Sequence, residues 1–201
     1  MSSQQQLALF DFDGTLIRYD SLFQFLRFFR GSNYFIFKMF LSLPVLVCNK
    51  LGFINNSDAK ERLLSNFFKG KTVMEFSARA ENFAKEKISN MLNKHIANKF
   101  YEHIAKGDRV IIISASVEEW ILPWAQQWKV EVLATKLASS NGVLTGKFLG
   151  NNCNGEEKVK RIKNHLKLAD YEEIWAYGDS SGDEAMLSLA NHKIYRGQIR
   201  D

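Results

Sequence analysis

The sequence predicts an α/β protein, a parallel sheet carrying one all-helical insertion, and three observations predict it. Five short apolar runs read as strands: Leu7–Phe12, Val110–Ser114, Val130–Ala134, Ile174–Tyr177 and Lys193–Tyr195. Helical stretches separate them, the order expected of βαβ units with right-handed crossovers. Between the first and second strands the alternation stops, and residues 20–98 read as helix throughout.

Each element has its own signal. Leu7-Ala8-Leu9-Phe10 follows polar Gln4, Gln5 and Gln6 and is broken by Gly14 and Thr15. Val110–Ser114 and Ile174–Tyr177 are apolar without alternation, as in parallel strands covered on both faces. In the insertion, Ser57 is expected to cap a helix ending before Gly70. Thr72 with Glu75 forms a capping box, opening a long helical stretch that Gly107 closes. Ser116 with Glu119, and Ser181 with Glu184, read as two further capping boxes. Asn141-Gly142, between Lys136–Ser139 and Val143–Phe148, is a hairpin signal. The expected division is a core of residues 1–18 and 99–201 with a cap of residues 19–98.

Composition narrows the class. A chain of 201 residues that is 46% hydrophobic, with 16 Phe, can bury a substantial core, which excludes a disordered chain. A net charge of +5 favours anionic partners. No Lys/Arg block with interleaved aromatics is present, so no nucleic-acid partner is expected. Cys48 and Cys153 make neither a disulfide framework nor a metal-ligand spacing. Residues 1–6 are polar and do not read as a secretory signal, so the expected location is the cytoplasm. Phe23 to Val47 is unusually apolar but interrupted by Arg27, Arg30, Gly31, Lys38 and Pro44. Two readings stand: a pair of cap helices burying their apolar faces, or a peripheral surface resting on anionic lipid, which would place the protein at the inner membrane face.

The chemistry concentrates at strand ends. Asp11 and Asp13 stand two apart where the first strand stops, and on a strand such residues share a face. Carboxylates that close need a cation or a shared proton; a hard oxygen-seeking ion such as Mg2+ suits them, with phosphate as its usual co-ligand. Ser114 ends the second strand in a loop leading toward a helix N-terminus, a place that favours an anion, although an isolated hydroxyl there more often only satisfies a turn. Lys158 alone reads as a solvated helix residue. Asp179 and Asp183 follow a buried strand, and each could equally be a turn former. The combination is what persuades, because ligands of open α/β sheets bind outside the carboxyl ends of the strands.

Taken in order, these residues resemble the haloacid dehalogenase-like superfamily of phosphohydrolases. Asp11-Phe12-Asp13-Gly14-Thr15 is similar to its first motif, Ser114 to its second, Lys158 to its third, and Gly178-Asp179 through Asp183 to its fourth. The resemblance implies a Rossmann-like three-layer core and, for the insertion, the helical cap of the phosphoserine phosphatase-like branch. Within that branch the chain looks closest to bacterial phosphatidylglycerophosphatase C-type proteins. Ile113-Ser114-Ala115-Ser116, Trp120, Pro123-Trp124, and Asn152-Cys153 ahead of Lys158 carry that likeness. It departs from phosphoserine phosphatase at Ala115-Ser116, where that enzyme has Gly-Gly, at Gly182, where it has Asn, and at Asp20, where it has Glu.

The resemblance implies a Mg2+-dependent phosphatase with a phosphate-ester substrate. Asp11 would be the nucleophile and Asp13 the general acid and base. Mg2+ would be held by Asp11, the backbone carbonyl of Asp13 and Asp179. Asp183 would orient Lys158 or a metal-bound water. Ser114, the Ala115 N–H and Lys158 would hold the phosphoryl oxygens. Dehalogenases of the superfamily lack an acid at the position of Asp13 and ion-pumping ATPases carry Thr, so Asp13 implies a phosphatase or phosphomutase. Lys60 and Arg62 are the cap cations that could meet an anionic substrate group, or else they form a solvated helix face; Asp20 could close the cap or simply cap a helix. A phosphotransferase on the same machinery and a catalytically idle binding protein remain as alternatives.

Overall fold

Parallel pairing joins the apolar runs in the computed structural model, which describes residues 6–200; most of the polar N-terminal segment lies outside them. The chain runs β1 (Leu7–Phe10), α1 (Ser21–Arg30), α2 (Ser32–Lys50), α3 (Asn56–Phe68), α4 (Val73–Phe83), α5 (Ser89–Met91), α6 (Lys94–Lys106), β2 (Arg109–Val117), α7 (Leu122–Ala125), β3 (Glu131–Thr135), β4 (Leu137–Ser140), β5 (Val143–Phe148), α8 (Glu156–His165), β6 (Ile174–Gly178), α9 (Glu184–Leu187), β7 (His192–Tyr195) and β8 (Gln198–Arg200). The main sheet has the order β3-β2-β1-β6-β7-β8, all parallel except the last pair. β1 is therefore central, with β2 and β6 on either side, and their carboxyl ends share one edge.

Strand alternation divides the core. Ala8, Phe10, Ile112 and Tyr177 join one buried cluster, whereas Leu7, Leu9, Ile111, Ile113, Ile174 and Ala176 join the other. The first cluster continues into the cap. There Phe25 of α1 stacks on Trp120 at 4.6 Å and meets Phe68, Phe76 and Phe83. The cap is thus anchored by aromatic rings that also roof the core. α4 passes through a π-helical turn, Ala84–Ile88, into α5. α6 then runs unbroken across residues 98 and 99 to Gly107, whose φ of 81° ends it in the left-handed conformation. The β4–β5 hairpin turns at Asn141-Gly142 and docks on α3, with Glu61 accepting from the Phe148 N–H at 2.8 Å.

Several local readings change. β1 stops at Phe10, though the Asp11 N–H still bonds Tyr177 at 2.9 Å. Asn55, not Ser57, caps α3 by accepting from the Asp58 N–H; Asn and Ser are equally good caps, and Asn55 comes first. β2 extends through Ser116 to Val117, with a bulge between Ser114 and Val117, so Ser116 caps nothing. The last capping box is made by Ser180 with Asp183, one residue earlier than expected. Finally, only one of the two apolar helices is buried. α1 buries Leu22, Phe25, Leu26 and Phe29, but α2 buries Ser42 alone.

Candidate active site

The end of β1 turns sharply because Ile17 bonds back to Phe12 at 2.9 Å. Gly14 allows that turn at φ 77°, and a side chain there would collide with the Asp179 carboxylate. Asp11, Asp13, Ser114, Lys158, Asp179 and Asp183 thereby line one cleft of about 340 Å3 at the carboxyl edge of the sheet.

Lys158 is its centre. It sits on the first turn of α8 and is 1% exposed. Its Nζ donates to Asp11 Oδ1 at 2.5 Å, to Asp183 Oδ1 at 2.6 Å and to the Ile113 carbonyl at 3.0 Å. All three ammonium protons are engaged. Burial favours the neutral amine, but Asp11 and Asp183 outweigh it and hold Lys158 above the ordinary lysine value. Burial also pushes Asp11 up to about 7, against the pull of Lys158. For Asp183 the balance reverses. Burial raises it, yet Lys158 and the Ser180 donors keep it below the usual carboxylate range. Its second oxygen accepts from the Asp179 N–H, the Ser180 N–H and the Ser180 hydroxyl. Asp183 therefore holds both Lys158 and the loop that carries Asp179.

Asp179 is the less compensated acid. Burial and Asp183 raise it, and among the described residues its carboxylate accepts from the Thr15 hydroxyl at 3.3 Å. Oxygens of Asp11, Asp179 and Asp183 lie within 4.8 Å of one another, a spacing that can hold a metal ion. The cleft lining carries five carboxylates, with Asp13 and Asp20 as the others, against Arg18, Lys60 and Lys158. The excess of two negative charges matches one divalent cation with oxygen ligands, so the residues present fit Mg2+.

Asp13 faces the same cleft but is held by other groups. Its Oδ1 accepts from the Ser21 N–H at 2.8 Å, at the start of α1, and its Oδ2 accepts a short hydrogen bond from the Ser116 hydroxyl. Burial and then Asp20 raise Asp13, while these donors oppose them. Ser114 accepts from the Ser116 N–H at 3.0 Å. Asp20 caps α1 through the Leu22 N–H at 2.8 Å and also lines the cleft. Of the cap cations, Lys60 enters the cleft and bonds the Ala115 carbonyl at 3.0 Å. Arg62 is exposed and lies outside the cleft lining, so the structure does not bring it together with the other predicted site residues. Two residues along a helix is about 200° of rotation, so the pair cannot both face inward.

Sequence reasoning missed Ser21, Ser116 and Asn154. Ser116 was hidden by a plausible capping pattern. The amide of Asn154 lies where a side chain at position 182 would stand, and Gly182 leaves room for it.

Known proteins resemble this chain in sequence and fold. Residues 8–188 match the haloacid dehalogenase-like hydrolase family. The chain is 32% identical over 198 residues to Protein CicA of Caulobacter vibrioides, covering 98% of this chain and 88% of that protein. A protein of unknown function from Bordetella pertussis Tohama I superposes with a TM-score of 0.82 at 26% identity, over 96% of this chain and 90% of that one. A phospho-aspartyl intermediate analogue of phosphoserine phosphatase has a like fold, with a TM-score of 0.62 at 20% identity over 96% and 87% of the two chains. Since the match runs from β1 through α9 and takes in every strand-end group of the cleft, the chain belongs to the haloacid dehalogenase-like hydrolases.

Proposed function

We propose that the protein is a Mg2+-dependent phosphomonoester hydrolase that passes through an aspartyl-phosphate on Asp11. The observation that carries this reading is Lys158, buried between Asp11 and Asp183 beside Ser114. A positive charge held there favours the ionised form of Asp11 against the burial that raises it, and draws a phosphoryl group toward it. Asp11 attacks phosphorus as the bond to the leaving oxygen breaks. Asp13 gives its proton to that oxygen. Asp13 then takes a proton from water, whose oxygen attacks phosphorus, releasing phosphate and restoring Asp11. The Ser114 hydroxyl and the Ala115 N–H hold the phosphoryl oxygens, and Lys158 acts on them as a buried charge. Asp11, Asp179 and the Asp13 carbonyl would hold Mg2+, with Asp183 beside them; when bound, the ion screens the nucleophile from the phosphate dianion.

A phosphate-ester panel including phosphatidylglycerophosphate and phosphoserine, each with Mg2+ or with EDTA, tests the reading. Release of phosphate from at least one ester, lost with EDTA, supports it; no release from any ester removes it. An alcohol acceptor in the same assay separates hydrolysis from phosphotransfer by its product.

A lipid phosphate is the substrate class we favour, and α2 is the reason. Ile36, Phe37, Phe40, Leu41, Leu43, Val47, Leu51 and Phe53 are between 47% and 78% exposed along α2 and the loop that follows it. From Ser21 to Ser57 the only charged residues are Arg27, Arg30, Lys38 and Lys50. Arg30 is paired with Glu75 at 2.5 Å, but Lys38 and Lys50 lie on α2 itself, and an exposed apolar face with its own cations suits an anionic membrane surface. α2 also leads directly into α3, which carries Lys60 into the cleft. Co-sedimentation with anionic vesicles is expected, and protein that stays in the supernatant removes this part of the reading.

A further inference from the structure

We propose that Ser116, Ser21 and Trp120 form a one-way hydrogen-bond relay that positions Asp13 for proton transfer. The proposal rests on the phosphoryl-transfer reading above. The Trp120 Nε1–H donates to Ser21 Oγ at 3.0 Å, Ser21 Oγ donates to Ser116 Oγ at 3.0 Å, and Ser116 Oγ donates to Asp13 Oδ2. With Asp13 ionised the direction is forced. A carboxylate oxygen only accepts, so the single proton of Ser116 goes to Asp13 Oδ2, and Ser116 Oγ accepts the single proton of Ser21. The indole can only donate, and Ser21 Oγ accepts from it on a lone pair. Trp120 and Ser21 are 0% exposed and Ser116 is 1% exposed, so water does not compete for these groups.

The relay fixes one oxygen of Asp13, and the Ser21 N–H fixes the other. The carboxylate is thus gripped at both atoms, with its plane set by donors from two separate elements. Ser21 begins α1 in the cap, whereas Ser116 belongs to β2 in the core. Trp120 in turn is clamped by Phe25 and Phe76 of the cap. The grip is complete only with the cap seated on the sheet edge. These are positioning residues: none needs to touch the substrate, and each acts through Asp13.

Leaving-group dependence tests the relay. A leaving group that departs easily needs no proton, so para-nitrophenyl phosphate reports the site without its acid. An alkyl phosphate from the panel needs Asp13. The parameter to follow is kcat/KM, which covers the steps through aspartyl-phosphate formation. Ser116→Ala is expected to lower kcat/KM for the alkyl ester about tenfold, a fraction of the ~10²–10⁴ a positioned general acid supplies. It should change para-nitrophenyl phosphate by less than about twofold. Trp120→Phe keeps the ring but loses the donor, and should shift the same ratio in the same direction by a smaller factor. Ser116→Thr restores the hydroxyl and should restore the ratio. Equal losses on both esters, or no loss on either, overturn the relay. Asp11→Asn in parallel must silence both esters; if it does not, the nucleophile assignment fails, an outcome distinct from failure of the relay.

Discussion

At the scale of single residues, the cleft is decided by charge placed where water cannot reach. Asp11→Asn removes the nucleophile and is expected to lower turnover more than a hundredfold, about 2.7 kcal/mol of transition-state stabilisation, measured as steady-state phosphate release. Lys158→Met leaves Asp11 and Asp183 buried without their counter-charge, both 6% exposed or less. Breaking a buried pair of this kind costs about 3–5 kcal/mol, so the variant should unfold at markedly lower urea as well as lose activity. Asp11, Asp13, Ser114, Asp179 and Asp183 were legible because they stand where apolar strand runs stop, whereas Lys158, on a helix, came forward only through the family resemblance. Ser116 and Ser21 were not, since a hydroxyl on a strand and one opening a helix carry no pattern saying that they meet. Only the close seating of cap on core, across 95 positions of sequence, makes them neighbours.

At the scale of elements, α1 and α2 show where composition alone misleads. Both are rich in Phe, yet α1 points its rings at Trp120 and Phe68 while α2 leaves Phe37 and Phe40 in solvent. The two apolar runs therefore answer differently to substitution. Phe25→Ala should cost about 3–5 kcal/mol by thermal or urea unfolding, the usual penalty for emptying a packed aromatic site. Phe40→Glu should leave stability within about 0.5 kcal/mol, as for an exposed position, while abolishing vesicle binding. α6 docks through one polar contact of its own. His103 meets Asp108 through Nδ1 at 2.7 Å and Tyr177 through Nε2 at 2.8 Å, an arrangement that suits the neutral ring donating from Nδ1. Burial lowers the His103 value below 6.5, although Asp108 opposes it. The unfolded chain then binds a proton that the folded chain refuses. Stability should fall as pH drops through 6.5 toward that lower value, and His103→Gln should flatten this slope in urea titrations at a series of pH values.

At the scale of the whole molecule, the parallel sheet was readable, though not the order in which its strands pair, because it leaves two plain marks: apolar runs without alternation, and helices between them. The helical cap was readable as an interruption of that rhythm. The hydrogen bonds between cap and core were not, because tertiary contact carries no local signature. The unbalanced charge of the cleft has a further consequence. With two more acids than bases along its walls, the cleft sets carboxylates against one another. Any divalent ion that settles there relieves this repulsion, and by mass action the melting temperature should climb with ion concentration, the added stability reaching about 2.7 kcal/mol at a hundred times the dissociation constant. Scanning calorimetry across a magnesium series would thus read occupancy directly, with calcium as a comparison, and with no need to know what the enzyme acts upon.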